Sequence, residues 1–102
     1  MKARKGDTFR SIAEEVDISY RKLAKYNERN KNDKLEEGEI VWLKKKRSKA
    51  PKDYKGRMHY VKNGESMYSI SQLYGIKLKK LYKLNNLPPT YQIRVGEALR
   101  LR

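Results

Sequence analysis

Apolar residues recur with the period of a helix in two similar stretches of this chain. In the first run Ile12 and Val16 follow Thr8 at the spacing of one helix face, and the second run repeats this arrangement after Ser66. Thr and Ser are preferred just before a helix because their side-chain oxygen accepts a hydrogen bond from the first turn. Each run therefore predicts a short helix.

A second helical period follows each of these helices and predicts another short helix. Leu23 precedes Asn27 within one such period, and Leu81 precedes Asn85 within the other. Gly and Asp tolerate the left-handed conformation that often ends a helix, and an Asn side chain at a helix end bonds backbone groups. The residues predicted to end the four helices are Asp17, Asn27, Gly75 and Asn85.

Extended segments flank the helical pairs. The sequence reads IVWL at residues 40–43, HYVK at 59–62 and ALRLR at 98–102, and such apolar clustering or alternation is typical of strands. Two strands around two helices predict a β-α-α-β unit of the α+β class, in which a two-stranded antiparallel sheet packs under both helices. The predicted core residues are Ile12, Ile18, Leu23, Leu43, Ile70, Ile76, Leu81 and Leu101.

The two halves of the chain are copies of one pattern. A shift of 58 residues places Gly6 on Gly64 and Leu43 on Leu101, and no gap is needed between these positions. The sequence thus predicts one repeat at residues 1–44 and a second at 58–102. Residues 45–57 are basic, contain proline and glycine and have no apolar period, so we interpret them as a linker.

Composition narrows the chemistry that the chain can perform. The 102 residues include no cysteine, which excludes disulfides and thiolate metal sites. The net charge of +14 favours anionic partners such as nucleic acid, anionic lipid or an acidic cell-wall polymer. No apolar run approaches the ~20 residues of a membrane span, and the N-terminus lacks the apolar stretch of a signal peptide. Because Met1 leads directly into the first repeat, we expect a longer parent protein.

The ordered motifs of both repeats resemble the LysM domain. The first repeat carries GDTFRSIA at residues 6–13, ISYRKLAKYN at 18–27 and LEEGEIVWL at 35–43. The second carries VKNGESMYSISQLYGIKLKKLYKLNNL at 61–87 and IRVGEALRL at 93–101. The resemblance implies the β-α-α-β fold and binding to glycans that contain N-acetylglucosamine, namely peptidoglycan or chitin. It also implies an accessory module of a secreted wall hydrolase, whose catalytic domain would precede Met1.

The resemblance further implies a sugar groove between two loops of each repeat. In the first repeat the glycan-binding residues would be Gly6, Asp7, Thr8, Phe9, Asn30, Lys31, Asn32, Asp33, Lys34 and Leu35. In the second they would be Gly64, Glu65, Ser66, Met67, Pro88, Pro89, Thr90, Tyr91, Gln92 and Ile93. An N-acetyl sugar presents an amide, hydroxyl groups and an apolar ring face, and Tyr91 with the Pro88-Pro89 pair would suit that face. The matching loop of the first repeat has no aromatic residue, so we expect weaker binding there.

Several of these residues also have a structural interpretation. Asp7 and Thr8 cap a helix first of all, and a sugar contact would be additional. We expect Trp42 to pack against the unit rather than serve as a sugar platform. His59 has no His or Cys partner at ligand spacing, so neither a metal nor a cofactor is expected.

The sequence favours a non-catalytic module. The acidic clusters at residues 14–17 and 36–39 lie on solvated helix and turn positions, and neither provides the pair of carboxylates, one of them buried, that glycoside hydrolysis needs. Two alternatives to glycan binding remain open. The KKKR run at residues 44–47 could bind nucleic acid, or the tandem could bind protein after losing its sugar sites. Of these readings we favour an extracytoplasmic, monomeric glycan binder.

Overall fold

Four short helices lie where the apolar periods predict them. The computed structural model describes all 102 residues and divides into two compact units, Met1–Lys46 (unit 1) and Arg47–Arg102 (unit 2). Unit 1 contains helices α1 (Phe9–Val16) and α2 (Tyr20–Tyr26), which pack together. Unit 2 contains strand β1 (Met58–Tyr60), helices α3 (Met67–Tyr74) and α4 (Leu78–Leu84), and strand β2 (Ala98–Arg100).

The first helix of each unit begins at a capping box. Thr8 Oγ1 accepts a 3.0 Å hydrogen bond from the backbone N–H of Ser11, and Ser11 Oγ accepts one of 2.9 Å from the backbone N–H of Thr8. Ser66 and Ser69 form the same reciprocal pair before α3. These bonds satisfy backbone donors that a helix leaves without internal partners. The predicted helix starts are confirmed.

The predicted helix ends are confirmed as well. Asp17 and Gly75 adopt the left-handed conformation, with φ of 56° and 69°. At the end of α2, Asn27 Nδ2 donates to the carbonyls of Leu23 and Trp42 at 2.8 and 2.9 Å, and Asn27 Oδ1 accepts from Trp42 N at 2.7 Å. Asn85 makes the same three contacts at the end of α4, with Leu81 and Arg100. Each Asn therefore ties a helix end to the last extended segment of its unit.

The paired strands are antiparallel. In unit 2, β1 and β2 pair with Met58 opposite Arg100 and Tyr60 opposite Ala98. In unit 1 the pairing consists of one bridge between Lys2 and Ile40, flanked by backbone hydrogen bonds. The segment predicted as a strand at residues 40–43 is therefore paired at its start, through the Lys2–Ile40 bridge and the hydrogen bond from Val41 N to Met1 O at 2.7 Å.

Each unit has its own apolar core. Of the predicted core residues, all except Ile18 and Leu43 are buried, and Ile18 packs partly against the core of unit 1. The prediction for Leu43 is wrong, because its side chain is 37% exposed. Its counterpart Leu101 lies beside Ala50, whose N–H donates to Leu101 O at 2.8 Å.

Residues 47–54 pack on unit 2. Arg47 forms a parallel bridge with Ile76, and Ala50 is fully buried. A short 3₁₀ helix, Lys52–Tyr54, follows, and the Tyr54 ring meets the Tyr74 ring edge-on at 5.4 Å. Much of the basic segment that composition assigns to a linker therefore contributes to this unit.

Lys46 belongs to unit 1. Its side chain is buried and pairs with a carboxylate oxygen of Glu28 at 2.5 Å. Burial lowers the pKa of Lys46, and the attraction of Glu28 opposes this effect without cancelling it. The pair fixes the end of unit 1.

Candidate functional site

A groove in unit 2 brings both predicted loops together. Its volume is about 350 Å³, and eight of the ten predicted residues of this unit line it. Gly64 and Pro88 are the two that do not. The lining residues are Glu65, Ser66, Met67, Tyr68, Leu78, Tyr82, Pro89, Thr90, Tyr91, Gln92 and Ile93.

Gly64 has a conformational role at the edge of this groove. It adopts φ of +86°, a left-handed conformation that side chains disfavour, and a Cβ at this position would meet no atom within 4 Å. The turn, and not crowding, therefore calls for glycine. The same holds for Gly6 in unit 1, where φ is +83° and the space is also open.

Glu65 enters the groove from a fixed position. Its Oε1 accepts hydrogen bonds from Lys62 N at 2.7 Å and from His59 Nε2 at 2.8 Å. His59 is buried in β1, and its Nδ1 lies 2.6 Å from Tyr74 Oη. Because an ionised carboxylate only accepts, His59 Nε2 donates to Glu65. A row of three side chains therefore connects the interior of unit 2 to the groove.

The pKa shifts of Glu65 and Tyr74 follow from their contacts. Burial acts to raise the pKa of Glu65, but the hydrogen bonds from His59 and the Lys62 backbone outweigh it, so the pKa lies below its usual value. Burial raises the pKa of Tyr74, which keeps its hydroxyl protonated as a donor. Glu65 is thus an acceptor at neutral pH, already engaged by the protein on one oxygen.

Tyr91 is held at the groove by its hydroxyl. Tyr91 Oη donates to Glu97 Oε2 at 2.8 Å, and Glu97 Oε1 accepts from Arg94 N at 2.7 Å. The hydrogen bond to Glu97 raises the pKa of Tyr91. Because the hydroxyl is anchored, the half-buried ring has a defined position in the groove wall.

Sequence reasoning missed three lining residues that come from helices. Tyr68 lies in the first turn of α3, and Leu78 and Tyr82 lie on α4. Leu78 and Tyr82 are four positions apart and therefore share one helix face. That spacing was visible in the sequence, but which helix face lines the groove depends on the packing of α4 against α3.

The matching loop of unit 1 is held by ion pairs. Arg29 Nε contacts Asp33 Oδ2 at 3.0 Å, Arg29 Nη2 donates to Lys34 O at 2.8 Å, and Arg29 Nη1 pairs with Glu39. The ion pairs of Arg29 therefore hold the loop at residues 30–35. In unit 2 the ring of Tyr91 occupies the position of Asp33.

Hydrogen bonds between Arg4 and Asp7 hold the other predicted loop of unit 1, at residues 6–9. Asp7 accepts from Arg4 N at 2.8 Å and from Arg4 Nε at 2.9 Å, and the hydrogen bonds from Arg4 lower the pKa of Asp7. Asp7 thus bonds the same backbone position that Glu65 bonds in unit 2. The Phe9 side chain is only 1% exposed, so it belongs to the core and could offer a ligand only its backbone.

Aromatic surface in unit 1 is partly covered. The Arg10 guanidinium lies over the Tyr20 ring at 4.4 Å, and these two residues match Tyr68 and Leu78 of unit 2. A broad depression of about 720 Å³ includes Asn30, Lys31 and Asp33 in its lining but no residue from 6–9. This depression therefore does not join the two loops predicted for unit 1. Trp42 is half-buried, as expected for packing.

Both two-helix units match a known protein family. The family model of the LysM domain matches residues 2–44 and 59–102, which together form most of the chain. The chain belongs to the LysM family. The match covers both units separately, so the tandem arrangement of LysM domains is confirmed.

Several bacterial proteins contain similar LysM sequence. The autolysin of Enterococcus faecalis is 30% identical over 101 residues, which is 94% of this chain and 13% of the autolysin. The uncharacterized lipoprotein YgeR of Escherichia coli is 42% identical over 48 residues, 47% of this chain and 19% of YgeR. The outer membrane antigenic lipoprotein B of Haemophilus influenzae is 40% identical over 48 residues, covering 12% of that protein. The chain thus spans less than a fifth of each of these curated relatives.

A solved structure is also similar. The Bacillus cereus spore cortex-lytic enzyme SleL matches with 29% identity and a TM-score of 0.45, over 100% of this chain and 22% of SleL.

Within the LysM tandem itself, no helix is long and apolar enough to cross a bilayer. No group of three or more His, Cys, Asp or Glu side chains is placed to hold a metal ion.

Proposed function

We propose that this LysM tandem is a non-catalytic module that binds glycans containing N-acetylglucosamine. Peptidoglycan is the proposed ligand, and chitin oligomers would share its recognised sugar. The observation that carries the proposal is the groove of unit 2, where the two loops implied by the family resemblance meet. In the longer protein that we propose, the module would hold an attached enzyme against its polymeric substrate.

The lining of this groove suits an N-acetyl sugar. Tyr82, Tyr91 and Pro89 provide flat apolar surface for a pyranose ring, while Ser66 and Gln92 provide small polar groups for hydroxyls and the acetamide. The groove is uncharged apart from Glu65, whose carboxylate is bonded to His59 and Lys62. A neutral ligand that combines polar and apolar faces fits such a surface better than an anion does.

We infer that the two units contribute unequally. Unit 2 has the aromatic lining, whereas the corresponding positions of unit 1 carry Lys31, Asp33 and the Arg10–Tyr20 stack. Unit 2 is therefore proposed to provide most of the affinity. Unit 1 would add avidity on a repeating polymer, because binding of the second unit becomes intramolecular once the first is bound.

The relatives support an extracytoplasmic setting for the proposed activity. Two of them are named lipoproteins and a third an autolysin. We propose that this chain works as a monomer in the cell envelope or outside the cell. The attached catalytic domain would be a wall hydrolase, in keeping with the autolysin that aligns along 94% of this chain.

The proposal is tested by an NMR titration of the isotope-labelled chain with an N-acetylglucosamine hexamer, at low and at high salt. We expect shifts in the groove residues of unit 2 that persist at high salt. Tyr91→Ala is expected to weaken binding at least about fivefold, because it removes a ring contact worth about 1–3 kcal/mol. Tyr60→Ala is the matched control, since Tyr60 is 62% exposed on the sheet and lies outside the groove. Unchanged groove signals at saturating hexamer would refute the proposal.

A further inference from the structure

Unit 2 has a second cleft with a different chemical character. Its volume is about 410 Å³, and it has no lining residue in common with the groove. Five of its nine lining residues are cationic, and none is acidic. The cationic residues are Lys49, Lys55, Arg57, Arg100 and Arg102.

The backbone brings these charges together. Gly56, with φ of +76°, turns the chain between Lys55 and Arg57, and the next residue, Met58, pairs with Arg100 across the sheet. From the other side, Ala50 N donates to Leu101 O and Arg102 Nη1 donates to Ala50 O, both at 2.8 Å. The cluster therefore results from hydrogen-bonded structure at the end of the sheet.

No acidic side chain neutralises this cluster. None of the five side chains forms an ion pair with Asp or Glu. Within the protein, Arg100 Nη2 donates to Arg102 O at 3.2 Å. Unit 2 holds 13 Lys and Arg against 3 Asp and Glu, so it carries +10 of the net charge of +14. Two of its three acids, Glu65 and Glu97, are engaged in the loops of the groove. Like charges in a concave site repel one another and create a strong positive potential. A bound anion would reduce this repulsion.

We propose that this basic cleft binds the phosphodiester groups of an anionic polymer of polyol phosphates. The planar guanidinium groups of Arg57 and Arg100 match phosphate oxygens in pairs, and Lys49 and Lys55 add compact charges. Lysine and arginine on one cleft suit a flexible chain that places successive phosphates against them. The cleft would give unit 2 a second wall ligand beside the proposed glycan.

The aromatic content of the cleft argues against nucleic acid as its ligand. Tyr54 is its only aromatic lining residue, and this ring is half-buried and in edge-on contact with Tyr74. Sites for single-stranded nucleic acid use exposed rings on which successive bases stack. No α-helix lies in the cleft lining to enter a major groove, and the only helical lining residue is Tyr54 at the end of the three-residue 3₁₀ helix. A polymer with phosphates but no bases matches this surface.

The test is a calorimetric titration of the intact chain with a synthetic hexamer of glycerol phosphate, at about 50 mM salt. The double variant Arg57→Gln/Arg100→Gln is compared with Arg47→Gln/Arg94→Gln, which removes the same charge from exposed arginines of unit 2 outside both cavities. We expect at least about tenfold weaker binding for the first pair and less than about threefold for the second. Binding of the N-acetylglucosamine hexamer should stay unchanged in both, as should the NMR spectrum of the fold.

Three results would overturn the proposal. Equal weakening by both double variants would mean that diffuse charge, and not the cleft, attracts the polymer. Absence of binding at about 50 mM salt would exclude the site. A thymidine oligonucleotide with the same number of phosphates that binds more tightly than the glycerol phosphate hexamer, and loses that binding with Arg57→Gln/Arg100→Gln, would assign the cleft to nucleic acid.

Discussion

At the scale of single residues, one asparagine in each unit joins a helix to an extended segment. Asn27 is 1% exposed and makes three hydrogen bonds of 2.7–2.9 Å, two of them with the backbone of Trp42. Removing the amide would take this partner away from the N–H and C=O of Trp42, where both hydrogen bonds are part-buried. Because an unsatisfied buried polar group is costly, we expect this residue to matter more than its size suggests.

Asn27→Ala is therefore expected to lower the free energy of unfolding of unit 1 by about 2–3 kcal/mol. Trp42 is the only tryptophan of the chain, so urea unfolding followed by its fluorescence reports on unit 1. The control is Asn32→Ala, which changes an exposed loop residue and should cost less than about 0.5 kcal/mol. Equal effects of the two substitutions would show that the bridge to Trp42 contributes little.

Glu65 gives a second prediction at this scale, because its pKa is lowered in the folded state. A carboxylate of this kind stabilises the fold above its unfolded pKa of about 4.3, and the contribution is lost as the pH falls through the lower folded value. The charged and titratable groups around it are His59, Lys62 and Tyr74. We expect unit 2 to lose stability below about pH 4.5, and Glu65→Gln to remove much of this dependence.

The measurement is denaturant unfolding at pH 6 and pH 3, followed by the NMR signals of unit 2. Asp53→Asn serves as the control because Asp53 is an exposed acid of the same unit with no ion pair. If Asp53→Asn flattened the pH dependence as much as Glu65→Gln did, the contacts of Glu65 would not be its source.

At the scale of elements, the capping boxes explain why such short helices form. α1 and α3 have only eight residues each, a length at which an isolated helix is unstable in water. Reciprocal hydrogen bonds at the first turn and tertiary packing of the apolar face compensate for this. The cap is therefore a larger share of the stability of each unit than it would be in a long helix.

Thr8→Ala should lower the free energy of unfolding of unit 1 by about 1 kcal/mol, whereas Thr8→Ser keeps the cap oxygen and should lie within about 0.5 kcal/mol of the unmodified chain. Trp42 fluorescence during urea unfolding measures both. A Thr8→Ser variant as unstable as Thr8→Ala would point to the methyl group of Thr8, and not to the cap.

The elements also show what could be predicted from the sequence. Helices and caps were predictable because they depend on residues a few positions apart, such as Thr8 with Ser11. The two loops of the groove were predicted through the family resemblance, whereas Tyr68 and Tyr82 were missed because helix packing decides which side chains reach the groove. Leu43 was predicted wrongly because burial depends on what covers a residue, and periodicity does not contain that information.

At the scale of the whole molecule, the boundary of unit 2 matters for its stability. The LysM match begins at residue 59, but residues 47–54 supply Ala50 to the core and Tyr54 to the Tyr74 ring. Arg47 adds two backbone hydrogen bonds of 2.8 Å, one with Gly75 and one with Lys77. A unit this small buries little apolar surface, so residues 47–54 are expected to contribute a substantial part of its stability.

A fragment of residues 47–102 should therefore fold cooperatively on its own, and a fragment of 58–102 should be less stable by about 2–4 kcal/mol. The reason is the loss of the buried Ala50 methyl, of the Tyr54–Tyr74 contact and of the hydrogen bonds at Arg47, Ala50 and Arg102. Urea unfolding by circular dichroism measures the difference, and Ala50→Gly in the longer fragment should reproduce about 1 kcal/mol of it. Equal stability of the two fragments would mean that residues 47–57 lie on unit 2 without stabilising it, and that the basic segment is a linker in the energetic sense as well as by composition.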